Sequence, residues 1–283
     1  MSRLSRWAAV VVAVTLTVFG APAAVADPQP WSVVNSPTDG MRAEVGETVL
    51  ITGFSYLGEG TPADRAELTF DDGATWIELD DGGQWRYPLT PTEPGDITFR
   101  VRAWYQGMVG GTTAPRTLHV GTSGSLPPVE CRFGCTFHVL QSPQDDTDTQ
   151  AVELGVRFAV DRPGRLSEVR FERGAYRGPV TVRIWGPDGT LLHEQVEPVP
   201  NGGITLATIN PPLPVQPGVD YVASYYTPAG GYRSQENYFT GSLLEAPFIV
   251  HADAGVYHYG DGGGFPTDSW NHSTYTVQPF FVF

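Results

Sequence analysis

Alternation of apolar and polar residues runs along many short segments of this chain. Apolar side chains occupy every second position from Ile97 to Ala103, and residues 48–53 and 66–70 behave similarly. This period of two is typical of strands that bury one face. We therefore predict a set of short strands over residues 30–121, arranged as an immunoglobulin-like sandwich.

Turn signals separate these predicted strands. Asp-Gly pairs lie at residues 72–73 and 81–82, and such pairs favour tight hairpin turns. The segment 70–76, Phe-Asp-Asp-Gly-Ala-Thr-Trp, resembles the Asp-Gly-Gly-x-Thr-Trp turn of bacterial immunoglobulin-like repeats. The resemblance supports the same fold for this part of the chain.

A second alternating set begins after residue 150. Apolar residues occupy every second position from Val152 to Val160, with Glu153 and Arg157 opposite, so we expect one buried face and one wet face. Helical periodicity is absent from the pattern, and the whole chain is predicted to be all-β. Residues 131–283 are expected to form a jelly-roll-type antiparallel β-sandwich. Further strands are predicted at residues 167–172, 179–185, 219–226, 255–259 and 275–283.

Two segments without this alternation divide the chain. Residues 122–130 are rich in small residues and proline and are predicted to be a linker. Residues 1–26 combine Arg3 and Arg6, an apolar run and an Ala-Val-Ala cleavage site. They predict a signal peptide and a secreted, extracellular protein without membrane insertion.

Composition narrows the classes of partner. The formal net charge is −14, and removal of Arg3 and Arg6 makes it more negative. Such a surface repels phosphate groups, which argues against nucleic-acid and anionic-membrane partners. All basic residues are Arg, and with abundant Gly, Pro and Ala this favours an actinobacterial or similar high-GC origin.

The two cysteines, Cys131 and Cys135, are four residues apart with Gly134 between them. In an exported chain they are predicted to form a disulfide, since Gly permits the tight turn that joins them. Half of a metal site is the alternative. It needs a second ligand pair, and the six His offer no short-spaced motif.

A family resemblance is carried by residues 152–158, 169–171, 184–185, 189–192, 221–225, 238–239 and 255–259. With these stretches, residues 131–283 resemble the secreted bacterial family catalogued as domain of unknown function 4082. Members of that family commonly lie beside immunoglobulin-like domains in exported proteins, so the resemblance implies an accessory role. The family has no established activity, and the resemblance therefore predicts a fold more than a function.

No motif for catalysis emerges. The acidic pairs at residues 71–72 and 80–81 sit at predicted turns, where Asp is favoured for local backbone reasons, and no nucleophile elbow, zinc helix or phosphate loop occurs. We predict no enzyme and no required cofactor. Asp145, Asp146 and Asp148 form an oxygen-rich loop that suggests a Ca²⁺ site, with a solvated acidic loop as the alternative.

Aromatic residues make the best case for binding, since rings stack on sugar faces while their polar tips stay wet. The sequence places Trp185 on the polar face of its strand, and the other candidates at strand ends or in Gly-rich loops. We predict a non-catalytic accessory protein that binds a polysaccharide or cell-surface glycan. The alternative is a structural or adhesive protein that contacts other proteins and has no glycan ligand. The predicted glycan-binding residues are Trp185, Tyr226, Tyr232, Tyr257, Tyr259 and Trp270.

Overall fold

The structure is a computed structural model, and it describes residues 28–58, 60–121, 126–131, 134–139, 143–198 and 203–283. Within those ranges every regular element is a strand, which confirms the all-β prediction. No helix in the described part is long and apolar enough to cross a membrane. The predicted signal peptide, residues 1–26, lies outside the described residues.

The first domain is a β-sandwich built from two sheets. In one sheet β3 lies between β1 and β7 and also pairs with β4, and the other has the order β2-β10-β8-β5-β6 with β9 beside β8. The strands are β1 (Pro30–Ser36), β2 (Arg42–Ala43), β3 (Val49–Leu57), β4 (Thr61–Pro62), β5 (Arg65–Thr69), β6 (Ile77–Glu78), β7 (Gln84–Leu89), β8 (Gly95–Tyr105), β9 (Met108–Val109) and β10 (Arg116–Val120).

The alternation along β8 has the predicted result, since Phe99, Val101 and Ala103 are buried. Trp85 fills the space between the sheets, and its indole N–H donates to Ser55 Oγ at 2.9 Å. That bond satisfies the one polar group that the ring brings into the core.

The second domain is antiparallel throughout its paired strands. Its strands are β11 (Gln144–Asp145), β12 (Val152–Val160), β13 (Gly164–Glu172), β14 (Val180–Trp185), β15 (Leu191–Glu197), β16 (Ile204–Val215), β17 (Tyr221–Thr227), β18 (Arg233–Ser234), β19 (Leu243–Glu245), β20 (Phe248–Val250), β21 (Gly255–Tyr259) and β22 (Gln278–Val282).

The large sheet of this domain has the order β15-β14-β17-β12-β20-β19, with β21 also paired to β12. It packs on the three-stranded sheet β16-β13-β22, and β11 pairs with β18 at one end. The core between the sheets is rich in aromatic rings. Phe171 and Tyr225 stack with ring centroids 4.2 Å apart, and Phe158, Phe248 and Phe281 are buried beside them.

The disulfide prediction is confirmed, with the sulfurs of Cys131 and Cys135 bonded at 1.96 Å. Cys135 exchanges both backbone hydrogen bonds with Phe281, each 2.8 Å long. The bridge therefore holds the start of the domain against its last strand.

The two domains pack on each other directly. Ser242 lies beside β3, where its N–H donates to Thr48 O at 2.7 Å and its carbonyl accepts from Leu50 N–H at 2.8 Å. Leu244 is buried in an apolar cluster with Val49 and Leu118 of the first domain. The two domains thus share a hydrogen-bonded, apolar junction.

Candidate functional site

A cleft of about 370 Å³ opens at one end of the second domain. We call it the aromatic cleft. Its walls come from the loop after β11, from β18, from β21 and from residues 268–275. The lining side chains are Asp146, Asp148, Gln150, Leu154, Tyr232, Ser234, Glu236, Tyr257, Tyr259, Trp270, Ser273 and Tyr275.

Four tyrosine rings line the cleft as a connected edge-to-face group. Tyr275 touches the rings of Tyr232 and Tyr257 with centroids 6.0 and 6.4 Å apart. Tyr257 in turn meets Tyr259 at 5.5 Å. Edge-to-face contact is a favoured arrangement of aromatic rings, so the four rings form one packed wall, in which Tyr259 keeps 43% of its surface exposed.

The loop after β11 holds two carboxylates in this wall by local backbone bonds. Asp146 Oδ1 accepts the N–H of Asp148, and Asp148 Oδ1 accepts the N–H of Gln150, both at 2.9 Å. These are the self-capping turns that Asp favours. The second oxygen of Asp148 accepts the hydroxyl of Tyr259 at 2.6 Å, which ties the loop to β21.

Trp270 forms the outer rim of the cleft and is 58% exposed. Its indole N–H donates to Glu236 Oε1 at 3.3 Å, and Asn271 donates to the other carboxylate oxygen at 3.2 Å. Asn271 and His272 follow with positive φ values of 43° and 51°. Residues other than Gly rarely adopt this left-handed backbone conformation, and residues that do are often found in functional loops.

The electrostatics of the cleft are negative. No basic residue lines it in the described part of the chain, and Asp146, Asp148 and Glu236 form no ion pair among the described residues. Burial and the hydrogen bond to Asp148 raise the pKa of Tyr259, and burial raises the pKa of Tyr232. The phenols therefore remain neutral hydrogen-bonding groups beside three carboxylates.

The structure brings together four of the six aromatic residues selected from the sequence: Tyr232, Tyr257, Tyr259 and Trp270. Sequence reasoning missed Tyr275 and Glu236. Tyr275 was assigned to a final strand, but β22 begins at Gln278. Thr276 lies between Tyr275 and β22, and its positive φ of 63° marks a turn before the strand begins.

Trp185 corrects the expectation of an exposed ring, since it is only 7% exposed. The ring packs against Phe265 with centroids 5.7 Å apart. Its indole N–H donates to Ser224 Oγ at 2.8 Å, and that hydroxyl donates to Glu153 at 2.6 Å. Trp185 is therefore part of a second apolar cluster with Val222 and Val256, and Arg183, its polar neighbour on the same face of β14, lies over the ring at 5.9 Å.

Glu153 lies at the centre of this region, which we call the covered face, and it is 0% exposed. Arg183 pairs with Glu153 and also with Glu194 at 2.7 Å. The expectation of a wet face at Glu153 is therefore wrong. Burial raises the pKa of Glu153 to about 7 even though the Ser224 hydroxyl and Arg183 favour the ionised form.

A glycine-rich segment closes the covered face. Gly262 O accepts from Arg183 at 3.0 Å, and its N–H donates to Tyr226 OH at 2.9 Å. Gly263 has a φ of 74°, and a Cβ there would collide with Glu153 Oε2. Tyr226 therefore belongs to the covered face and lies outside the lining of the aromatic cleft.

The three carboxylates of the suggested Ca²⁺ site do not converge. Asp145 pairs with Arg233 at 3.2 Å, whereas Asp146 and Asp148 cap their own loop. In the described ranges no group of three acidic, His or Cys side chains is placed to hold a metal ion. Calcium binding stays a prediction without support from this geometry.

The comparisons with known proteins agree with this architecture. Residues 140–277 match the model of a family described as a domain of unknown function (DUF4082), which confirms the resemblance in the second domain. No curated protein matches the sequence significantly.

Several solved structures are similar at low identity. Fibronectin(III)-like modules of Clostridium thermocellum CbhA are 20% identical over 32% of this chain and 94% of theirs, with a TM-score of 0.27. A carbohydrate-binding module of the β-sandwich superfamily is 12% identical over 82% and 99%, with a TM-score of 0.25. Bacteroides ovatus SGBP-B, solved with a mixed-linkage heptasaccharide, is 13% identical over 67% and 50%, with a TM-score of 0.19. These low scores carry no information about the site.

Proposed function

We propose that this protein binds a carbohydrate in the aromatic cleft and does not turn it over. The observation that carries the proposal is one cleft in which exposed Trp270 and Tyr259 stand beside Asp146, Asp148 and Glu236. A sugar ring has apolar C–H faces and polar edges, so it needs flat rings and hydrogen-bonding groups together. The cleft volume falls within the usual range of about 300 to 1,000 Å³ for ligand sites.

The absence of turnover is part of the proposal. Asp146 and Asp148 are two residues apart in one loop, and the Asp146 carboxylate accepts the N–H of Asp148, so they line the same wall. Glycoside hydrolysis needs two carboxyl groups that flank the scissile bond. An assay for new reducing ends during prolonged incubation with each bound polysaccharide tests this part, and their release would contradict it.

We propose an extracellular setting for this activity, on the strength of residues 1–26 and the single disulfide between Cys131 and Cys135. The first domain is proposed to belong to the bacterial immunoglobulin-like type, because residues 70–76 resemble the turn of those repeats and form a closed, hydrogen-bonded turn around Asp71. Thr75 N–H and Thr75 Oγ1 both donate to that carboxylate, at 2.8 and 2.6 Å. These bonds lower the pKa of Asp71 to about 2.

The test of carbohydrate binding is retention on a panel of soluble and insoluble polysaccharides. Trp270→Ala should reduce the affinity for any retained glycan about tenfold, because a stacking face is lost. Trp31→Ala is the matched control, since Trp31 is also exposed but lies in the first domain away from the cleft. Failure of the wild-type protein to bind any polysaccharide would refute the proposal.

A second candidate function is contact with another protein through strand edges. β15 and β16 each lie at the end of a sheet, and they expose Val196 at 65% and Leu206 at 57%. Exposed apolar side chains on neighbouring edge strands are typical of interaction surfaces. Sedimentation over a concentration series, with Val196→Glu as the comparison, would show whether this edge self-associates.

A further inference from the structure

The aromatic cleft continues beyond the second domain. A neighbouring depression of about 440 Å³ shares Asp146, Ser234 and Glu236 with it. A third depression of about 250 Å³ shares Gln235 with the second. The three depressions therefore adjoin one another from Trp270 to the first domain, and we call them together the composite groove.

The far end of the composite groove lies at the domain junction. There Asp80 and Asp81 of the first domain face Gln235 and Tyr238 of the second. Arg86 spans the junction and donates to Asn237 O at 2.6 Å, so the two domains are fastened to each other at this point. The first domain therefore supplies part of the lining.

Acidic side chains occur along the whole composite groove. In addition to the three carboxylates of the aromatic cleft, it is lined by Asp145, Asp80 and Asp81. Arg86 is the one basic side chain among the described lining residues of the three depressions. Arg233 pairs with Asp145, but the other five carboxylates form no ion pair among the described residues. Carboxylates gathered without matching cations repel one another, and a cationic ligand relieves that repulsion.

We propose that the composite groove binds an amino-sugar chain that carries free, protonated amines. This inference rests on the proposed carbohydrate binding and names the class of sugar. The sugar faces stack on Trp270 and Tyr259, and the ammonium groups at the sugar edges pair with Asp146 and Glu236. Aromatic rings attract cations as well as apolar faces, so both kinds of lining favour the same ligand.

The extent of the groove adds a requirement for length. A single sugar fills only the aromatic cleft, whereas a longer oligomer also reaches Asp80 in the first domain. Each additional sugar then places further amines beside carboxylates, and affinity should increase with chain length. The first domain acts here as part of the binding surface.

The experiment compares oligosaccharides of equal length by titration calorimetry on the full mature chain. Fully deacetylated glucosamine oligomers should bind about tenfold or more tightly than N-acetylated ones, and the difference should shrink as salt screens the charges. Equal affinity for N-acetylated or cellulose-derived oligomers would overturn this inference and leave carbohydrate binding intact. Loss of all glycan binding would overturn both.

Charge-removing variants locate the interaction. Asp146→Asn keeps the oxygen that accepts the Asp148 N–H. It should lower the affinity for deacetylated oligomers about three- to tenfold, with little effect on the affinity for N-acetylated ones. Asp80→Asn should lower the affinity for long oligomers and leave the affinity for single sugars unchanged. Glu93→Gln is the control, since Glu93 is an exposed acid of the first domain outside the groove.

Two results would contradict the proposal directly. An unchanged affinity in Asp80→Asn at every chain length would exclude the first domain from the binding surface. Equally tight binding of oligolysine with the same number of charges would point to a basic peptide partner, because a peptide backbone has no sugar face for Trp270.

Discussion

The aromatic cleft and the covered face contain similar residues, which are exposed for binding in the cleft and buried as a core in the covered face. Each combines Trp, Tyr and carboxylate side chains. In the covered face they lie on β12, β14 and β17 of the large sheet, whereas in the aromatic cleft Trp270 and the three carboxylates lie in loops. On the covered face Arg183 neutralises Glu153, and the segment around Gly263 shields both from water. Among the described residues no Arg lines the aromatic cleft, and Trp270 remains exposed.

The difference teaches that cover and charge pairing decide the role of an aromatic residue. A Trp with a satisfied indole N–H stabilises a core when its ring is buried, as Trp185 does beside Val222 and Val256. The same side chain offers a stacking face when nothing lies over it. The next four changes test this contrast, from the largest expected effect to the smallest.

Removal of the Trp185 ring should destabilise the second domain. Trp185→Ala leaves a cavity under Phe265 and removes the donor to Ser224. We expect a loss of about 3 to 5 kcal/mol in the free energy of unfolding, measured by urea titration. Trp270→Ala should leave the free energy of unfolding within about 0.5 kcal/mol of the wild-type value, since the Trp270 ring is exposed. Equal losses in the two variants would erase the contrast.

The cover itself can be tested at Gly263. Gly263→Ala places a methyl group against Glu153 and Arg183 in a backbone conformation that disfavours side chains. We expect about 2 to 3 kcal/mol of destabilisation in thermal or chemical unfolding. Gly262→Ala is the matched control, because Gly262 has a φ of 84° with open space around its Cβ position. Gly262→Ala should lower the free energy of unfolding by only about 1 kcal/mol, through backbone strain.

The buried carboxyl group should make stability depend on pH. Burial raises the pKa of Glu153 to about 7 from an ordinary value of 4.5, so the folded state binds this proton more tightly than the unfolded state. Its contribution is complete below pH 4.5 and is lost progressively as the pH rises from 4.5 through 7.

Glu153→Gln removes the titrating group and keeps its size. Unfolding free energies measured at pH 4.5 and pH 7.5 should therefore differ less in this variant than in wild type. An identical pH dependence in both proteins would show that Glu153 is ionised throughout, held by Arg183.

The smallest effect is expected at the rim of the cleft. Tyr259→Phe removes the hydroxyl that donates to Asp148 and keeps the ring. Glycan affinity should fall about two- to fivefold through looser positioning of the loop, with the unfolding midpoint nearly unchanged. If the variant lost more free energy of unfolding than free energy of binding, Tyr259 would be a core residue like Trp185.

The alternation of residues determined much of the fold. β8, β12 and β14 lie where the period of two predicted them, and the disulfide and the Asp71 turn follow from local sequence. The sequence missed β15 and β16. β16 contains Pro211, Pro212 and Pro214, which suggested turns, but it lies at the edge of its sheet, where proline is tolerated.

What covers each face was decided only by tertiary structure. The sequence selected Tyr232, Tyr257, Tyr259 and Trp270 by their places in loops and at strand ends, and the fold brought them into one cleft. It gave no sign that a glycine-rich segment would bury Glu153 and Trp185. The pattern along a strand records which residues share a face, whereas burial depends on a segment about 80 to 110 positions away in the chain. Contacts at such separation leave no periodic signal, because each is made only once, by the packing of the whole domain.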